Sequence, residues 1–338
     1  MKDRTLAVTA TLFLLILTSC AETVTITDFT GQEVEVNAPA NKTVSLSAAG
    51  SEILWALDGG ESMVGRSASS NFPPALENVT VVGKHSNAPD LEVIMELKPG
   101  IVIADTMLSE ENRRVLEEDG IAVVVERFID PFRTLQVIEN MGKVLGKEER
   151  ASELSVQLKG YQDLIKERTS GIGQEDKPTV FFEWLGKPYH SASNGTSYDN
   201  FIDFAGGVNL AANESTDYPD ISPEWVIEND PDIILHILGS SKDYSQEDLK
   251  KWREEIMSRP ELQNLRAVKE GRVYVLSGTV ATGVRSAIGE LFLAKWFYPE
   301  LFEDTDPDAE HERLIEKFYN MDVVGDYAYP SNASELSE

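Results

Sequence analysis

Two stretches of the chain align without a gap at an offset of 132 residues: D-L-E-V-I-M-E-L-K-P-G-I-V-I at 90–103 and S-P-E-W-V-I-E-N-D-P-D-I-I-L at 222–235. Each opens on a helix-capping residue, Asp90 or Ser222, and carries a glutamate two positions later, Glu92 or Glu224. Each continues as a short apolar helix, a proline (Pro99 or Pro231) and a run of buried-strand character. A helix-and-strand unit that recurs once at this distance predicts two lobes built on one plan. A carboxylate in a first helical turn also meets the positive end of the helix dipole, so either glutamate alone is explained locally. The matched pair points to a shared surface role.

Residues 148–169 lie between the two copies. Ala151, Leu154, Leu158, Tyr161 and Ile165 recur there at steps of three and four, with Glu, Lys, Arg and Gln on the other faces. At ~1.5 Å per residue this helix spans roughly 33 Å, about the width of a small domain. An ordinary amphipathic surface helix fits the pattern, and so does a rigid strut between two lobes. The flanking repeat favours the strut.

On both sides, short apolar strands alternate with helices, which implies mostly parallel sheets covered on both faces. The expected fold class is therefore α/β, with two doubly wound lobes, each holding a mostly parallel sheet, joined by one long interlobe α-helix. The boundaries read as 1–19 signal peptide, 20–147 N-terminal lobe, 148–169 interlobe helix, 170–326 C-terminal lobe and 327–338 mobile tail. A hairpin is expected around D-F-T-G at 28–31, a loop at 48–51 and a helix opening on Asp130 and Pro131.

The 338 residues carry a net charge of −28, which repels phosphate backbones and speaks against nucleic acid as a partner. The one cysteine precludes an internal disulfide, and its position is informative. Lys2 and Arg4 precede a nearly continuous apolar run at 6–17, then L-T-S-C ending at Cys20. This resembles a lipoprotein signal peptide whose Cys20 becomes the lipidated first residue. A plain secretory signal is the other reading; the apolar run is short of the ~20 residues that cross a bilayer. Asn41, Asn78, Asn194, Asn213 and Asn332 each begin an N-x-S/T sequon, which fits an exported protein from a glycosylating host.

Over about 24–321 the chain resembles the substrate-binding proteins of ATP-binding-cassette importers for iron chelates, haem and cobalamin, the type with one interlobe helix. The resemblance rests on the opening hairpin V-T-I-T-D-F-T-G-Q-E-V-E-V at 24–36 and on L-E-V-I-M-E-L-K-P at 91–99. It rests also on N-L-R-A-V-K-E-G-R-V-Y-V-L at 264–276 and A-K-W-F-Y-P-E-L-F at 294–302. In that family one surface glutamate per lobe pairs with arginines of the permease subunits, and those positions fall on Glu92 and Glu224. His85 stands where the cobalamin receptor has a stacking Trp, and Ser69 where it has a Tyr; both depart from the corrinoid pattern.

In open α/β sheets, ligands bind at the carboxyl ends of the strands, which two lobes on a strut bring face to face. The first lobe then offers Ser69, Phe72 and His85 to a ligand. The second offers Trp184, Tyr189, His190, Tyr218, His236 and Arg285. Trp184 and Tyr189 suit stacking on a flat ligand or a place in the core. Arg285 suits a bidentate grip on an anion or a solvated surface. His85, His190 and His236 all fall in expected cleft loops, so they also suit direct zinc or manganese binding, or a single haem ligand.

The expectation is an extracytoplasmic, lipid-anchored, monomeric receptor with no cofactor of its own. It captures an iron(III) chelate (siderophore or haem) or corrinoid and delivers it to an importer permease dimer with its ATPase subunits. The alternative is a direct zinc or manganese receptor. A surface adhesin is a third class. An enzyme is a fourth, but G-x-S-x-G, the P-loop pattern, H-E-x-x-H and G-x-G-x-x-G are all missing from the chain.

Overall fold

The structure is a computed structural model that describes residues 22–240 and 242–331. The signal segment, Cys20 and the Asn332 sequon lie outside the described residues.

The chain opens with an antiparallel hairpin, β1 (Glu22–Thr27) and β2 (Glu33–Ala38). Asp28 at its turn accepts from the backbone N–H of Thr30 (2.8 Å) and Gln32 (3.1 Å), as a short polar turn residue does. The first lobe follows with β3 (Thr43–Ser45), α1 (Ala48–Ala56), β4 (Met63–Arg66), β5 (Thr80–Val81) and α2 (Leu91–Leu97). It is completed by β6 (Ile101–Asp105), α3 (Glu110–Glu118), β7 (Ala122–Glu126) and α4 (Thr134–Leu145). Its five strands form a parallel sheet in the order β5-β4-β3-β6-β7.

Helix α5 (Glu148–Thr169) is the strut, and the five apolar residues of its periodic face are all buried. It packs on α4 of the first lobe and on α10 (Ser286–Phe297) of the second, so one hydrophobic core runs through the junction. The second lobe begins with β8 (Thr179–Trp184), α6 (Ser197–Phe204), β9 (Val208–Asn209), α7 (Pro223–Asn229) and β10 (Ile233–Ile237). Next come α8 (Gln246–Ser258), α9 (Arg266–Lys269) and β11 (Val273–Leu276), then α10, α11 (Pro307–Tyr319) and β12 (Ala328–Tyr329). Its sheet runs β12-β11-β10-β8-β9, parallel except for β12.

The repeat is structural. Helices α2 and α7 are capped by Asp90 and Ser222, whose side chains accept from Val93 N and Trp225 N. Both end on left-handed residues, Lys98 (φ 50°) and Asp230 (φ 38°), and both lead into an inner strand, β6 or β10.

Three local expectations are corrected. Residues 48–51 are the first turn of α1, with Ser47 as N-cap: two alanines continue the helix backwards where a loop was expected. Asp130 does not start α4; its carboxylate accepts from Phe132 N at 3.0 Å in a tight turn, and α4 begins at Thr134. The expected mobile tail is ordered at its start. Tyr327, Ala328 and Tyr329 are buried, and β12 closes the edge of β11.

Candidate ligand-binding cleft

The carboxyl ends of both parallel sheets face one another, and two connected cavities lie between them. One, of about 310 Å³, is lined from the first lobe by the N-terminus of α1, by His85 and by the residues following β6 and β7. From the second lobe it receives Trp184, Tyr198 and Tyr218. The other, of about 540 Å³, lies between Phe72 and Pro74 on one side and Lys242, Thr279, Arg285 and Tyr327 on the other. Ala48, Ser69, Ser240 and Thr282 line both, so the cleft is one space with two chambers.

The 67–72 loop is held from beneath. Arg66 is buried and donates from Nε to the Leu76 carbonyl at 2.7 Å and from Nη1 to the carbonyls of Ser67 and Ser70 at 3.1 Å each. The hydroxyls of Ser67, Ser69, Ser70 and Ser51 form a chain with spacings of 2.8–2.9 Å. Ser69 and Phe72 are thus presented on a fixed loop rather than a floppy one.

The opposite wall is aromatic. Trp184 ends β8 and lies 4.9 Å from Tyr218 and 5.3 Å from Tyr198, centroid to centroid. Behind it His190 stacks at 14°, with Nδ1 2.7 Å from the Asp220 carboxylate, which also takes Lys187 Nζ at 2.6 Å. Hydrogen bonds from Lys187 and from the His190 ring hold the Asp220 carboxyl below its usual range. Leu185 and Gly186 both take left-handed φ (58° and 66°), which turns the chain sharply after Trp184.

The first-lobe wall is polar, with Ser69, His85, Asp105, Glu126 and Arg127 in its lining. Burial raises the Asp105 carboxyl, against the opposing pull of the Met107 N–H and the Ser86 hydroxyl. Burial also raises Glu126, although Arg133 Nη2 donates to it at 2.9 Å. His85 Nδ1 and Glu126 Oε1 are buried atoms with no hydrogen-bond partner among the described residues. Unsatisfied groups of this kind cost free energy unless something meets them.

Of the residues expected in the cleft, Ser69, Phe72, His85, Trp184, Tyr218 and Arg285 line it. Three expectations are corrected. His236 is not in a cleft loop: β10 extends through Ile237, so His236 is fully buried, stacked on Trp252, with Nδ1 3.2 Å from Glu183. Glu183 is gripped in turn by Arg259 at 2.6 and 3.1 Å, which makes this a structural network. Tyr189 packs on Phe181 under the outer helices and donates to Glu261 at 2.6 Å; it lines neither chamber. His190 supports Trp184 from behind. The three histidines therefore do not converge. Among the described residues no group of three or more His, Cys, Asp or Glu side chains is placed to hold a metal.

Arg285 is also not the free guanidinium that its loop position suggested. It is buried and donates to Glu52 of the other lobe, from Nη2 at 2.8 Å and Nε at 3.1 Å, while its ring-facing side covers Phe72 at 4.0 Å. Sequence reasoning missed Glu52, Tyr198 and Arg127. Arg127 follows β7, and the rule that chose the other strand ends selects it too. It donates across the cleft to the Gly195 carbonyl at 3.2 Å.

Glu92 and Glu224 are exposed in the first turns of α2 and α7. Both helices follow loops at the carboxyl ends of strands, which sets their N-termini at the cleft end of each lobe. No helix among the described residues is long and apolar enough to cross a membrane.

Comparison with known proteins agrees with this architecture. The chain is 27% identical over 288 residues to an uncharacterised ABC transporter substrate-binding lipoprotein of Bacillus subtilis, covering 83% of this chain and 87% of that one. It is 24% identical to a cobalamin-binding protein of Halobacterium salinarum, over 64% of this chain and 59% of the relative. The molybdate-binding protein MolA of Haemophilus influenzae, solved with molybdate, shares the fold: TM-score 0.75 at 21% identity, over 90% of this chain and 100% of that one. The periplasmic binding protein family model matches residues 43–279. The chain belongs to that family, whose members serve ABC transporters as substrate-binding proteins.

Proposed function

We propose that the protein captures a preformed metal chelate in the interlobe cleft and hands it to an ABC importer permease. An iron(III) siderophore or haem suits the cleft best, and a corrinoid is the other ligand of this class. The carrying observation is the contrast between the two walls. Trp184, Tyr198 and Tyr218 present a cluster of aromatic rings from one lobe, the two tyrosines tilted 52° and 31° to Trp184. The other presents Ser69, an unpartnered His85 nitrogen and two carboxyls that burial biases toward the neutral form. A ligand with a planar organic face and a few polar edges satisfies both. A naked ion is less well served, because among the described residues no cage of three or more ligating side chains is assembled.

Cys20 gives the lipid anchor in this reading. One acyl chain alone gives marginal membrane binding, so a diacylglyceryl group is the form that would hold the receptor beside its permease. Isothermal calorimetry with ferric siderophores, haemin and cobalamin tests the ligand assignment. One chelate should bind, and Trp184→Ala should weaken it by tenfold or more. Failure of all three, or binding indifferent to Trp184→Ala, would overturn the assignment.

A further inference from the structure

The second chamber has a charged floor whose charge is already spent. Arg285 and Glu52 come from opposite lobes and are both buried, and both line this chamber. Glu52 takes three donors of Arg285: Nη2 at 2.8 Å and Nε at 3.1 Å on one oxygen, the backbone N–H at 3.3 Å on the other. These are the donors that an oxyanion would use, since a guanidinium edge and an adjacent N–H make a ready fork for two oxygens. The remaining charges do not replace them. Lys242 is exposed at the mouth and is accompanied there by Asp243 and Glu77. Counting the floor, the lining holds three carboxylates against two cations. The rest of the wall is apolar or neutral, from Phe72, Pro74, Met321, Val324 and Tyr327 to Asn71, Thr279 and Thr282.

We propose that Glu52 is a specificity-determining residue: by occupying Arg285 from across the cleft, it closes the second chamber to oxyanions and carboxylates and reserves it for an uncharged part of the ligand. An entering anion must either displace Glu52, leaving a carboxylate buried without its partner, or sit beside it against like-charge repulsion. A neutral, weakly polar group meets neither obstacle. The proposal rests on the interlobe cleft being the ligand site.

Glu52→Gln tests it. The amide keeps the shape but leaves the buried guanidinium without a counter-charge. Inorganic molybdate and sulfate are the probes, measured by isothermal calorimetry on the whole receptor. Wild type should show no binding at millimolar anion, and Glu52→Gln should bind at least one of the two at least tenfold more tightly. Adding Arg285→Gln should remove that gain. Wild type binding either anion as tightly as Glu52→Gln would overturn the proposal, and so would a folded Glu52→Gln with no gain. The wild-type arm stands even if the variant does not fold. Loss of the chelate reading shows in the Trp184→Ala experiment and loss of this one in the anion series, so the two failures are distinguishable.

Discussion

Gln162, on the strut, donates its side-chain amide to Glu290 Oε2 at 3.3 Å and to the Pro131 carbonyl at 3.1 Å, so one residue of α5 touches both lobes. Glu290 is fully buried, and its Oε1 has no partner among the described residues. Burial pushes its carboxyl up to about 8; the Gln162 amide and Lys166 pull the other way, and Asp130 adds to the rise.

The sign of the pH dependence follows. The folded pKa lies above the unfolded value of 4.5, so Glu290 costs nothing below about pH 4.5 and destabilises progressively up to about pH 8. A rise from 4.5 to about 8 corresponds to at most about 5 kcal/mol, or on the order of ten degrees in Tm for a chain of this size. Glu290→Gln should therefore raise the Tm at pH 8 and change it little at pH 4.5. A difference between variant and wild type that stays constant over this range would show that Glu290 does not titrate as its burial implies.

Asp28 fastens the hairpin to the first lobe. Besides its turn contacts it accepts from Val125 N at 3.3 Å and pairs with the buried Arg113 at 3.0 Å. Removing one member of a buried ion pair costs ~3–5 kcal/mol because the other is left uncompensated. Asp28→Ala should cost more than Arg113→Leu, since it also strands backbone donors that the carboxylate serves in the hairpin and β7. Urea midpoints of the two variants check the order; equal or reversed midpoints would mean that the charge pair matters more than the backbone donors.

The two-lobed plan was legible because its signals are local. Ser109, Ser222 and Ser245 cap the helices that follow them, and the strut shows its buried face within a few turns. The cleft was legible where a strand end could be counted, as at Trp184 and His85. It failed at His236, which was counted as a cleft residue although it lies inside the apolar run 233–237 and is a fully buried strand residue. It failed again where the deciding partner is remote. Glu52 and Arg285 are 233 residues apart, and nothing near either residue announces the pair. The pairing of β12 with β11 is likewise non-local, so Tyr327 and Tyr329 read as tail.

Substitution of Glu92 and Glu224 tests whether docking can be separated from ligand binding. They occupy equivalent first-turn positions in the two lobes and are exposed. Neither lines either chamber of the cleft. In the free protein, truncating such residues costs little beyond a helix-dipole contribution of ~0.3–1 kcal/mol each. An interface pair buried on docking is different: losing one partner costs ~2–5 kcal/mol, because the opposing charge is left desolvated and unmatched. A receptor spanning a two-subunit permease would lose one such contact per lobe. The double variant Glu92→Ala, Glu224→Ala should therefore keep its Tm within a few degrees and its chelate affinity unchanged. Uptake by proteoliposomes carrying the permease and its ATPase should fall by orders of magnitude. Each single variant should fall between, since the other lobe still docks. Normal uptake by the double variant, or a loss of chelate affinity matching the loss of uptake, would reduce both carboxylates to helix-end stabilisers and leave the repeat with a structural meaning only.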